Sequence, residues 1–109
     1  MSVNKEALRA TLEAVKANPD HWDQTVWVRK TACGTAYCFA GWTCVLDGFT
    51  EPVDRTTWLV RSDGLSVDVQ IYAKRRLGLT WQQADGLFDQ FNTLADLERI
   101  VSELCEDPT

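Results

Sequence analysis

Four cysteines and a single histidine are the side chains in this 109-residue sequence with the greatest chemical reach. Cys33, Cys38 and Cys44 are spaced C-x4-C-x5-C, and Cys105 follows 61 positions later. Structural zinc sites gather their ligands through C-x(2–4)-C knuckles, usually in two pairs, and this spacing offers no second pair. On one helix, Cys38 and Cys44 would stand about 120° apart in projection and point to different sides. Cys105 falls on an apolar stripe, where a free cysteine behaves as a small hydrophobe. Buried structural thiols are therefore the leading reading. A disulfide or redox pair of Cys33 with Cys38, or a metal site, is the alternative. Cys33 precedes an expected helix start, where exposed N–H groups lower a thiol pKa. With His21, flanked by Asp20 and Asp23, it sketches a Cys-His-Asp arrangement. No motif supplies an oxyanion hole, and His21 reads more simply as a surface or capping residue. Walker A, G-x-G-x-x-G, H-E-x-x-H and G-x-S-x-G patterns are all missing. No catalytic residue, metal ligand or cofactor is assigned, and the expectation is a non-enzyme.

The elements that must position these residues follow from periodicity and caps. A first helix is expected from Asn4, as N-cap, to Asn18, with Leu8, Leu12 and Val15 on one stripe. Pro19 ends it. Thr25–Arg29 reads as a strand. A second helix is expected from Ala36 to Asp47, capped by Thr35 and stopped by Gly48. It is apolar nearly all round, as a central, buried helix should be. Thr57–Arg61 and Leu65–Val67 flank Asp63-Gly64 as a hairpin. A third helix is expected over Asp68–Leu77, and Thr80-x-x-Gln83 is a capping box for a fourth. The last begins after Thr93, with Leu94, Leu97, Ile100, Val101, Leu104 and Cys105 on one side. The predicted architecture is one α+β domain over residues 1–109, of about five helices and a small antiparallel β element.

The chain has 11 basic and 16 acidic residues, a net charge of −5. Its excess lies at one end, since residues 81–109 alone sum to −6. That balance makes non-specific nucleic-acid binding an unfavoured function, because phosphate must be neutralised by Lys and Arg. Lys74-Arg75-Arg76 is a basic triplet whose charges splay around a helix, a solvated face rather than a phosphate clamp. The longest apolar run, residues 36–46, is far short of the ~18 residues of a membrane span, and no signal peptide is expected.

Five tryptophans are the compositional outlier. Trp42 belongs in the core, and Trp27 and Trp58 are expected to pack together across two strands. Trp81 and Phe91 are the candidates for exposure, and with Asp85 and Asp89 they form the candidate partner-binding set. Exposed tryptophan is enriched among interface hot spots. The alternative is an aromatic-rich core that takes all five.

The segment Cys33-Gly34-Thr35-Ala36-Tyr37-Cys38-Phe39-Ala40-Gly41-Trp42 resembles the C-G-T-x-x-C-x-A-G-W pattern of small proteins from mycobacteriophages and related actinobacterial phages. Asp20-His21-Trp22-Asp23-Gln24, the Leu-Gly-Leu at Leu77–Leu79 and Asn92–Leu97 extend the likeness over residues 18–104. Thr35, Gly41 and Trp42 are its structural positions, and Cys44 lies outside it. The resemblance implies an accessory phage product acting in the cytoplasm of a bacterial host. The expected function is binding to a host or phage protein, as in host takeover or superinfection control. A thiol or metal protein using Cys33 and Cys38, and an acidic mimic of nucleic acid, are the alternatives.

Overall fold

The computed structural model describes residues 3–31, 34–52 and 57–106. In chain order they form α1 (Lys5–Ala17), a 3-10 turn (Pro19–His21), β1 (Val28–Thr31), β2 (Gly34–Tyr37), α2 (Phe39–Leu46), β3 (Glu51–Pro52), β4 (Trp58–Val60), β5 (Ser66–Asp68), α3 (Val69–Leu77), α4 (Trp81–Leu87) and α5 (Leu94–Glu106). Five α-helices and two small antiparallel sheets make an α+β fold. No helix among the described residues is long and apolar enough to cross a membrane.

The caps are local chemistry and fall where their residues dictate. Asn4 Oδ1 accepts from Ala7 N at 3.1 Å, and its Nδ2 donates to the Arg76 carbonyl, tying the start of α1 to the end of α3. Asp68 caps α3 through Ile71 N, and Gly78 ends that helix with φ +70, a conformation that favours glycine. Thr80 and Gln83 form a reciprocal capping box. Thr93 and Asp96 do the same for α5 with a shorter acid.

The core is built around α2, which packs against α1 and α3, while α5 packs against α1 and α4. Leu8, Phe39, Phe49, Leu59, Leu77, Leu87 and Leu97 are fully buried within it. Thr11 and Thr43 bring their hydroxyls to 3.1 Å between α1 and α2. Among the described residues, every buried side-chain nitrogen and oxygen has a hydrogen-bond partner.

Three sequence expectations give way here. The first strand begins at Val28 rather than Thr25, because Thr25 is held in a turn by Asp23, whose carboxylate accepts from both its N–H and its hydroxyl. The second helix begins at Phe39, with Cys38 as its N-cap, so Thr35 does not cap it. Residues 34–37 pair instead with β1, Val28 opposite Tyr37 and Arg29 opposite Ala36. The start of α2 therefore lies well beyond Cys33, which is itself outside the described residues. Nor are Trp27 and Trp58 strand partners. Trp27 precedes β1 and meets Phe88 edge-on at 6.1 Å, whereas Trp58 sits on β4 of the other sheet.

Candidate functional site

The site begins with a buried polar side chain. Pro19 starts a tight turn after α1, and Asp23 then closes an Asx turn onto Thr25 and pairs with Arg29 at 2.8 Å. The hydrogen bond from the Thr25 hydroxyl is the main influence holding the Asp23 carboxyl below its usual range. Between these anchors the chain turns inward and buries Gln24. Its Oε1 accepts from Trp22 Nε1 at 3.0 Å and from the Phe39 N–H at 3.1 Å. Its Nε2 donates to the Leu87 carbonyl at 3.2 Å and the Asp89 carbonyl at 3.1 Å. All four hydrogen-bonding capacities of the amide are used. Gln24 thus joins the turn after α1, the first residue of α2 and the loop after α4.

That loop carries Phe91, the most exposed large apolar side chain among the described residues, at 82%. Its backbone is held from two sides. Asn92 Nδ2 donates to the Gly86 and Leu87 carbonyls at 2.8 and 3.0 Å, and the Phe91 N–H donates to Asp89 Oδ1 at 2.8 Å. An exposed aromatic on a fixed loop loses little freedom on contact, which is the property of a preorganised anchor. Asp89 is exposed two residues before it, Asp85 is exposed on α4, and Trp81 is half exposed at the start of that helix. Trp81 is thus the first residue of α4, and Phe91 lies on the loop four residues beyond its last residue, Leu87. Lys74 Nζ lies 4.9 Å over the Trp81 ring. The rest of the basic triplet splays as expected, with Arg76 turned to Asp47 at 3.0 Å.

The Cys38–Trp42 segment is a docking joint for the Gln24 turn. The Cys38 N–H donates to the Trp27 carbonyl, and the Asp23 N–H donates to the Tyr37 carbonyl. Trp42 Nε1 reaches the His21 carbonyl at 3.1 Å, and its ring meets Tyr37 edge-on at 5.5 Å. A Cβ on Gly41 would stand 2.8 Å from both the Trp27 oxygen and Tyr37 Cβ, so the close approach needs glycine. His21 contributes its backbone here, and Thr35 lies in β2.

Cys38, Cys44 and Cys105 are free and buried. Burial pushes the Cys38 thiol up to about 12, and it drives Cys44 upward as well. Thiolate is the nucleophile and the metal ligand, so both groups are inert near neutral pH. Among the described residues, no three His, Cys, Asp or Glu side chains are grouped to hold a metal. A hollow of about 250 Å³ next to Cys38 is lined by Gln24, Thr25, Val26, Trp27, Phe88 and Gln90. Among the described residues of that lining Cys38 is the one ionisable group, and burial keeps it a protonated thiol near neutral pH. Iodoacetamide at pH 8 should leave Cys38 and Cys44 unlabelled in the native protein and label both after urea unfolding. Labelling at similar rates in the two states would contradict their burial.

Gln24 and Asn92 carry the geometry and were missed in the sequence. Each sits in a polar run that reads as surface, although Asn92 lies two residues before the first residue of α5, where turn chemistry was a usable signal. No protein-family model, curated protein or solved structure matches this chain.

Proposed function

We propose that the chain is a protein-binding module rather than an enzyme, and that the α4 face from Trp81 to Phe91 makes the contact. The observation that carries this reading is Phe91, 82% exposed on a loop fixed by Gln24 and Asn92. Leaving an aromatic ring in water gains a monomer nothing, whereas burying it against a partner removes ~150–250 Å² from water. Trp81 supplies a second aromatic, and Asp85 and Asp89 a polar rim that favours a partner with basic groups. The likeness to actinobacteriophage proteins supports the finer reading, a phage accessory product that engages a host or phage protein in the host cytoplasm.

The test is a photoreactive residue at position 91, Phe91→p-benzoylphenylalanine, irradiated in the cells that express the chain. A discrete adduct with a protein is expected, reduced at least about fivefold when Trp81→Ala is added, as for a hot spot. Absence of any protein adduct at 91 would overturn the reading.

A further inference from the structure

Two exposed features flank α4, one just before it in the chain and one just after. At the amino end of α4, a groove of about 500 Å³ on the last turn of α3 and the turn into α4 is lined by Lys74, Arg75, Gly78, Leu79 and Thr80. Its floor is the apolar Leu79, and Arg75 is exposed on its rim with no ion pair among the described residues. At the carboxyl end stands Phe91, with the exposed Asp89 two residues before it and likewise in no ion pair among the described residues. One end therefore offers a cationic groove and the other an aromatic knob beside a carboxylate. Resting on the protein-binding reading above, we infer that the partner of this face is a second copy of the chain.

In a two-fold arrangement each surface must complement itself, so the groove of one copy receives the knob of the other twice over. Phe91 of one protomer enters the groove of its partner over Leu79, and Asp89 is carried with it to the rim that holds Lys74 and Arg75. Charge complementarity then fixes the antiparallel direction, since the parallel one would set cation on cation. Gly86 lies between the two ends on the exposed side of α4. An added Cβ there would meet nothing within 4 Å, so nothing inside the chain calls for glycine in that helix. Its missing side chain lets the two α4 helices cross closely.

Sedimentation equilibrium from about 1 µM to about 1 mM, the range of weak to moderate dimers, tests this directly. A monomer–dimer equilibrium is expected. Phe91→Ala and Arg75→Glu should each raise its dissociation constant about tenfold or more. Asp89→Asn, which keeps the oxygen that accepts the Phe91 N–H, should weaken it less and flatten its dependence on salt. Gly86→Ala should weaken the dimer with no loss of monomer stability. A chain that stays monomeric throughout overturns the inference, as does a dimer indifferent to Phe91→Ala and Arg75→Glu, or a monomer whose groove binds a single-stranded oligonucleotide instead. The crosslink at 91 separates the two proposals. Adducts only with another protein species would leave the protein-binding reading standing and remove the second copy from it.

Discussion

Replacing Gln24 by leucine should cost the fold about 3 kcal/mol, in the range set by a buried polar group left without its partner. The two side chains are of similar size, so the loss lies in hydrogen bonds rather than in volume. The Leu87 carbonyl keeps Asn92 Nδ2, and the Asp89 carbonyl keeps the Asn92 N–H. Trp22 Nε1 is only partly buried and can turn to water. The Phe39 N–H, buried at the first turn of α2, keeps no acceptor, and it dominates the cost. Gln24→Glu separates acceptor from donor. The carboxylate still accepts from Trp22 and Phe39, but it faces two carbonyl oxygens where Nε2 had donated. Burial and those oxygens raise its folded pKa above the unfolded value. The stability of this variant is therefore present at low pH and lost as pH rises through the folded pKa. Asp23 works in the opposite sense, because its lowered pKa gives stability that is lost on acidification. Urea unfolding followed by tryptophan fluorescence should find Gln24→Glu close to Gln24→Leu at pH 8 and nearer to wild type at pH 5. Equal midpoints for wild type and Gln24→Leu would contradict the junction.

Gly41→Ala should be comparably severe, about 2–4 kcal/mol, as for overpacking against atoms that cannot move aside. The new methyl would meet the Trp27 carbonyl oxygen and Tyr37 Cβ, both at 2.8 Å. One is backbone and the other is fixed to it, so no flexible side-chain end can give way. Relief requires the segment carrying Trp27 to lift from α2, which stretches the Cys38 N–H to Trp27 carbonyl bond, already 3.3 Å. A fall in Tm of about 10 °C or more is expected, at ~4 °C per kcal/mol for a domain of this size. Gly86→Ala is the control, because the same methyl there enters open space and improves helix propensity. Similar Tm values for the two variants would show that the contact at Gly41 is not tight.

The boundaries of α1, α3, α4 and α5 were legible because their caps are neighbours in sequence. Asn4, Asp68, Thr80 and Thr93 each bond an N–H three residues ahead. Gly64 and Gly78 were legible for the same reason, as local demands for positive φ. The second helix was misread because Ala36 and Tyr37 continue the apolar run of α2, and only pairing with β1 shows them to be strand. Periodicity cannot separate a short buried strand from the helix it runs into. Trp81 and Phe91 were candidates for exposure because one stands in the first turn of its helix and the other near the next turn, and both are exposed. Gln24 was illegible. Its partners at Leu87 and Asp89 are 63 and 65 positions away, and nothing in Asp20–Thr25 marks one polar side chain as the buried one.

The most direct measurement of the central claim compares photo-crosslinking at position 91 with the same photoreactive residue at Glu13, exposed on α1. Protein adducts are expected at 91 and not at 13, and Gln24→Leu should reduce those at 91 under conditions where the variant is still folded. Equal yields at 91 and 13, or a yield at 91 unchanged by losing the Gln24 bonds to its loop, would contradict a contact face held ready by Gln24.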